Sequence, residues 1–570
     1  MSLKRLLAVS TAVSIAAGCS SGDINVAPAT NVSGSNNTTI NGSTGTGNEV
    51  CASYVNTAGQ KIEGVYDGTN CTYSPSFVDA GNNLLVDMTI PALPNGGAHI
   101  FQGSLFVGQT YNDDVSMAAA GITKGGDGPK LTIEAGATLA WQSSANFLVI
   151  NRGSQIFAVG RADAPITFTS VSDINGTVGP EDVQQWGGIV INGFGITNQC
   201  AYTDTNADGD PNVVTEADLT TTDCHVDAEG AAGLDESQYG GDNNDDSSGR
   251  LEYVVVKHPG ATVGNGDELN GISFGAVGRN TIVKNIEMYS TYDDGVEMFG
   301  GAVNIENYVA VYARDDSIDI DEGYSGTFTN ALVIQSANDG NNCIESDGIA
   351  DFSNLTSTEV EAVIALGINS RPTINNLTCI ISPNPTGTHD PGAGWRFREG
   401  IFPTVNDSMI IGSFEADSTP TAAGGSADNY CLRIDNRSQQ AAIEGDLILN
   451  HIIIACEEGV HSSTPFAFDG VTTEASFAAA QGVQFATIPT GTAVNATAAA
   501  DPGLQLLEGT QPVYSIDWAT SQVDGAAPIA STDPAPRLFL GGLSMSIPDW
   551  TAGWTYGIDP ANRGEPLWFE

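Results

Sequence analysis

The chain has 570 residues, 68 of them Asp or Glu against 19 Lys or Arg, for a formal net charge of -49. A surface this acidic repels nucleic acid and attracts cations, so DNA and RNA are excluded as partners. The 67 glycines break the sequence too often for long helices, while 41% hydrophobic residues still supply a sizeable core.

At the N-terminus Lys4 and Arg5 precede an apolar run from Leu6 to Ala17. Residues 1–18 read as an export signal, because a run of this length is too short to cross a bilayer as a helix. Ala16, Ala17 and Gly18 before Cys19 resemble the lipobox of bacterial lipoproteins. That resemblance implies that Cys19 becomes the first mature residue, carries palmitate-type acyl chains and anchors the protein in a membrane. Ser20 and Ser21 follow Cys19 where an Asp would imply inner-membrane retention. The expected address is therefore the outer membrane, lipid-anchored and at the cell surface. Residues 19–48 are rich in Ser, Thr, Asn and Gly and bury too little to offset chain entropy, so they read as a flexible tether.

Residues 49–124 form an N-terminal cap or lead-in region. Setting Cys19 aside leaves an even number of cysteines in an oxidising compartment. They fall into short sequential pairs, Cys51 with Cys71, Cys200 with Cys224, Cys343 with Cys379 and Cys431 with Cys456, and sequential pairing is the expectation among many possible connectivities. No pair has zinc or redox-motif spacing, and the 6 histidines show no metal-ligand spacing either.

From 125 to 460 an internal period governs the sequence. Asn270-Gly-Ile-Ser-Phe-Gly275, Asp294-Gly-Val-Glu-Met-Phe299, Asp316-Ser-Ile-Asp-Ile-Asp321 and Asn342-Cys-Ile-Glu-Ser-Asp347 recur at spacings of 24, 22 and 26. A second strand, at Asn285-Ile-Glu-Met288, Asn307-Tyr-Val-Ala310 and Asn330-Ala-Leu-Val333, keeps step at 22 and 23. Two strands sharing one period predict an all-β, right-handed parallel β-helix, with Asn in a left-handed corner of each coil. About a dozen coils at a spacing of about 4.8 Å would make a rod roughly 60 Å long. A propeller would need blades of about 40 residues, and no such period is present. Residues 461–570, poor in strands, are expected to cap or brace the rod.

Leu131-Thr-Ile-Glu-Ala-Gly-Ala-Thr138, Gly153-Ser-Gln-Ile-Phe-Ala-Val-Gly160, Pro165-Ile-Thr-Phe-Thr-Ser170, Trp186-Gly-Gly-Ile-Val-Ile-Asn192 and Asp549-Trp-Thr-Ala-Gly-Trp-Thr555 resemble a family of β-helix surface proteins and outer-membrane lipoproteins of marine Gram-negative bacteria. The resemblance covers about three quarters of the chain and is specific for fold rather than activity. Many such relatives carry a C-terminal sorting domain, and its absence before Glu570 implies anchoring through Cys19.

Stacking the coils puts Asp293 over Asp315, Asp294 over Asp316 and Asn342, and Glu297 over Asp319 and Glu345, with Asp321 alongside. Carboxylates about 5 Å apart repel by roughly 3 kcal/mol at an effective dielectric of 20, which calls for a counter-ion. Oxygen-only ligands suit Ca²⁺, so a structural calcium ladder is expected, with a hydrated acidic face and a catalytic carboxylate set as the alternatives. Asp204, Asn206, Asp208 and Asp210 repeat the first half of a calcium loop but lack its closing acid, since Thr215 stands at that position.

An enzyme is the rival reading. Paired aspartates suit a glycoside hydrolase, but the polygalacturonase Gly-His-Gly and Arg-Ile-Lys segments are missing. A polysaccharide lyase needs a base and cations, for which Lys257, His258, Arg314, Arg396 and Arg398 are the candidates; Tyr289, Tyr292 and Tyr312 could stack on sugar rings near the ladder. The favoured function is a non-catalytic, calcium-stabilised scaffold for adhesion, a surface layer or ligand capture. Its partners would be the membrane through the lipid, and a polysaccharide or an outer-membrane transporter.

Overall fold

A coil that must close on itself within 22 to 26 residues can hold only short strands, and its corners need residues that tolerate a left-handed backbone. The computed structural model realises this as two long parallel sheets. It describes residues 50–568 except 79–80, 211–212, 230–236, 263–267, 383, 385–386, 389, 413–429, 457–458, 487–504, 507–513, 518–538, 544–547 and 560. The expected export signal, Cys19 and the expected tether lie outside the described residues.

The narrower, nine-stranded sheet stacks Leu105–Val107, Leu148–Ile150, Ile189–Asn192, Ile272–Gly275, Val296–Phe299, Ile318–Asp321, Asn342–Asp347, Ala393–Arg398 and Leu432–Ile434 in chain order. All its neighbours are parallel. Nine strands at about 4.8 Å span roughly 40 Å, and the broader, 16-stranded sheet continues past both ends, from Cys71–Tyr73 to Gln484–Ala486. Parallel pairing thus extends on either side of 125–460.

The long strands of the broad sheet, such as Ile282–Tyr289, Asn304–Val311 and Thr327–Ile334, each turn a corner partway along. The corner residues Tyr253, Asn285, Asn307, Asn330, Asn376, Asp407 and His451 have φ between 49° and 62°. A left-handed residue costs about 1 kcal/mol or more for an L-amino acid, and Asn offsets it with side-chain hydrogen bonds. Asn307 Nδ2 donates to Asn285 Oδ1 at 2.8 Å and Asn330 Nδ2 to Asn307 Oδ1 at 2.9 Å. The asparagines read from the repeat therefore join one coil to the next.

Alternation along each strand fills the interior: Val296, Met298, Ile318 and Ile320 are fully buried. In the first coils Tyr73, Phe101, Trp141 and Trp186 stack in succession, with ring centroids 4.7, 5.4 and 4.4 Å apart. All four disulfides form in the sequential pairing. Cys343–Cys379 and Cys431–Cys456 lie inside the core and tie the narrow sheet to the broad one. After 461 the described residues Leu540, Leu543, Ile558 and Leu567 lie along the outer face of the broad sheet, against Val309, Val311, Leu332 and Ile334. This strap braces the flank of the rod.

Candidate metal centre

The outward positions of the narrow sheet carry the carboxylates. Ser273, Glu297, Asp319, Glu345, Arg396 and Arg433 occupy one register column. Two residues before the strands that begin at Ile272, Val296 and Ile318 runs a second column, in which each side chain accepts the backbone amide one coil on. Asn270 Oδ1 accepts from Asp294 N at 3.2 Å, Asp294 Oδ1 from Asp316 N at 2.9 Å, and Asp316 Oδ1 from Asn342 N at 2.6 Å. Asp294 and Asp316 thus hold the coils together with one oxygen and offer the other to the ladder.

Carboxylate oxygens converge within 4.8 Å in three sets: Asp293, Asp294 and Asp315; Asp294, Glu297 and Asp319; Asp316, Asp319 and Glu345. Asp294 and Asp316 are buried. Asp319 is only partly exposed, and its Oδ1 is enclosed without a hydrogen-bond partner among the described residues. A hairpin of Val226–Asp227 and Gln238–Tyr239 lays Tyr239 over the neighbouring column of the sheet, beside Gly275 and Phe299. A Cβ on Gly275 would meet the Tyr239 ring at 2.8 Å, so this outward position has to be glycine. The Tyr239 hydroxyl donates to Glu322 at 2.7 Å, and Asn270 Nδ2 bridges Glu297 at 2.7 Å and Glu229 at 3.0 Å. Asn341 donates to Asp315 at 2.7 Å, and Asp321 accepts the amide of Glu322.

Burial, then the neighbouring carboxylates, push Asp293 up to about 8. The same two causes hold Asp294, Glu297, Asp316, Asp319 and Asp321 well above the usual carboxylate range. At the other end of the column the charge is balanced. Arg396 meets Glu345 at 2.5 Å, and Arg398 meets Glu345 at 2.9 Å and also pairs with Asp347. The segment 394–400 is therefore an ordinary coil strand whose arginines neutralise the ladder from below. The acidic end combines crowded oxygen donors with an enclosed, unpartnered oxygen, a donor set that fits a hard cation such as Ca²⁺.

The other expected groups lie apart. Asp204, Asn206, Asp208 and Asp210 sit on a hairpin loop closed by Cys200–Cys224, and their carboxylates are not among the convergent sets of the described residues. Asp204 and Asp208 accept the amides of Asn206 and Asp210, and the loop is organised by the buried Asp218, which accepts the amides of Asp208 and Thr215. Lys257 and His258 pair with Asp173, at 2.8 and 3.8 Å, and Arg314 donates to the carbonyl of Glu181. Tyr289 and Tyr312 belong to the apolar cluster beneath the strap rather than to the ladder. A fourth convergent set, Asp114, Asp223 and His225, has the buried Arg152 at 2.5 Å from His225 Nδ1. That leaves the Nε2 hydrogen directed at Asp114, 3.1 Å away, a poor arrangement for a metal.

Fold and site together define a parallel β-helix protein with a carboxylate column on its narrow sheet. The chain belongs to the family described as a pectate-lyase-like β-helix domain, which matches residues 109–428. Neither the curated proteins nor the solved structures gave a match.

Proposed function

We propose that the protein is a non-catalytic surface lipoprotein. Lipid on Cys19 would hold it to the outer membrane, residues 20–48 would tether it, and a calcium-stabilised β-helix would serve adhesion, a surface layer or ligand capture. The observation that carries the calcium claim is the enclosed acidic end of the ladder, where Asp319 Oδ1 has no partner among the described residues. The scaffold reading is supported by the use of Asp294 and Asp316 as coil-to-coil hydrogen-bond acceptors. Of the five candidate lyase residues, Lys257, His258 and Arg314 lie on other contacts, while Arg396 and Arg398 join the ladder as ion-pair partners of Glu345. The export signal and Cys19 support the address.

A second reading, a polysaccharide lyase or glycoside hydrolase, draws its support from the family description; fold alone does not assign an activity. Native mass spectrometry with and without chelator, alongside a polysaccharide cleavage assay, tests both. Several calcium ions bound and no cleavage is the expected result. Cleavage that disappears in Asp316→Asn would overturn the scaffold, and a metal-free protein in excess calcium would overturn the ladder. Acylation of Cys19, read by mass spectrometry of the mature N-terminus, tests the anchor.

A further inference from the structure

We propose that the first coils carry a binding groove for a neutral polysaccharide, separate from the carboxylate ladder. A cleft of about 630 Å³ opens beside the first strand of the narrow sheet, lined by Asn82, Asn83, Gln109, Tyr111, Asn112 and Asp113. Leu85, Gln109 and Tyr111 also line a second hollow of about 360 Å³. Asp87 joins that hollow to a third of about 530 Å³. Three hollows that share walls make an extended groove, which suits a chain better than a single sugar.

The lining selects the chemistry of the ligand. Amides and hydroxyls dominate the first cleft, on a chain whose net charge is -49. Its one carboxylate, Asp113, has both oxygens taken by Ser116, at 2.7 Å from the amide and 2.8 Å from the hydroxyl. Farther along, Asp87 accepts from the Lys130 amide and Asp127 from the Thr123 amide, each at 2.9 Å. Arg152 is committed to the carbonyls of Cys224, Gly240 and Tyr111. Lys130, exposed and without an ion pair among the described residues, lines the third hollow, so a charged ligand finds one open cation there and no free counter-charge in the first cleft.

Polar capacity that is still open lies in the neutral groups. Gln109 and Asn112, both exposed, make no side-chain hydrogen bond among the described residues. An amide offers two donors beside an acceptor, which matches neighbouring sugar hydroxyls, each of them donor and acceptor at once. Tyr111 supplies a ring face for the apolar side of a pyranose. A peptide adding to the sheet would need a free edge, but the edge strand Leu105–Val107 is already bridged to Leu84: Leu84 N donates to Phe106 O at 2.8 Å and Gly108 N to Leu84 O at 2.9 Å.

The test is calorimetric titration of the purified full-length chain with neutral hexasaccharides of glucose, mannose and galactose, with hexagalacturonate as the anionic comparison. Saturable binding of a neutral hexasaccharide is expected, weakened at least tenfold in Tyr111→Ala/Asn112→Ala. The tie from Tyr111 to Arg152 is through the main-chain carbonyl and survives that substitution. Should the double variant fold poorly, Gln109→Ala alone is expected to weaken binding about threefold, roughly 0.7 kcal/mol, with an unchanged melting temperature. Chelator and Asp294→Asn should leave binding intact, which separates this site from the ladder. Binding of no neutral hexasaccharide, a preference for hexagalacturonate, or undiminished binding in the variants would overturn the proposal.

Discussion

Raising the pH should destabilise the metal-free β-helix, and calcium should cancel that loss. At 4.8 Å, the limit of separation within each set, two carboxylates repel by about 3 kcal/mol at an effective dielectric of 20. Three such pairs in one fully ionised set cost about 10 kcal/mol, comparable to the whole stability of a domain. The folded protein therefore keeps protons on these groups that the unfolded chain releases near pH 4. While the folded state holds more protons than the unfolded one, stability falls as pH rises, up through about 8 for Asp293, with Asp294 and Asp319 raised in the same direction. His99 and His461, held down to about 4 chiefly by burial, act in the opposite sense only up to the ordinary histidine range near 6.5. Thermal melts of residues 49–570 between about pH 7 and about pH 8.5 thus isolate the carboxylates. With chelator the melting temperature should fall across that window. With calcium it should stay level, and calcium binding at about pH 7 should release protons. A flat or rising curve in chelator, or a calcium gain that is the same at every pH, would refute the reasoning.

Three further outcomes follow from individual contacts. Arg398→Gln leaves Glu345 and Asp347 short of a partner and should cost about 2–4 kcal/mol, read from the urea midpoint. Asn307→Ala keeps the left-handed corner without its two side-chain bonds and should cost about 2–3 kcal/mol, whereas Asn307→Gly relieves the backbone and should cost about 1 kcal/mol less in the same assay. Replacing both Cys343 and Cys379 by Ser opens a loop with a sequence separation of 36 and should lower stability by about 4 kcal/mol on the chain-entropy account, seen as a lower melting temperature.

The repeat made the ladder legible because one coil has nearly constant length between 270 and 347. Glu297, Asp319 and Glu345 stack as their spacing requires, and so do Asp294 and Asp316. The arginines that complete the column were not legible, since helix Ser357–Ala365 lengthens the next coil and moves Arg396 51 residues beyond Glu345. Glu229 and Tyr239 were also invisible, since they reach Asn270 and Glu322 from an insertion with no period of its own. In the Asp204 to Asp210 loop, Asp204 and Asp208 accept turn amides, a use of Asp at alternate positions that the sequence pattern does not separate from cation binding. Tyr289 and Tyr312 were placed beside the ladder by sequence proximity, but the corner of the coil turns them onto the opposite flank.

Asp294 separates a scaffold from an enzyme most directly. Its column begins with Asn270, whose amide oxygen accepts the Asp294 amide at 3.2 Å, so an amide oxygen already performs the coil-to-coil role there. Asp294→Asn should keep the bond from Asp316 N while removing one titrating carboxyl from both sets that contain it. The new amide hydrogens would face a crowd of acceptors, among them Asp319 Oδ1, which lacks a partner among the described residues. On the scaffold reading the metal-free variant is therefore more stable than the parent above about pH 7, by about 1–3 kcal/mol, and gains less from calcium. A catalytic aspartate would instead show lost polysaccharide cleavage with the calcium response unchanged. If the metal-free variant is less stable than the parent in that range, charge repulsion does not dominate this column, and the case for a structural cation falls with it.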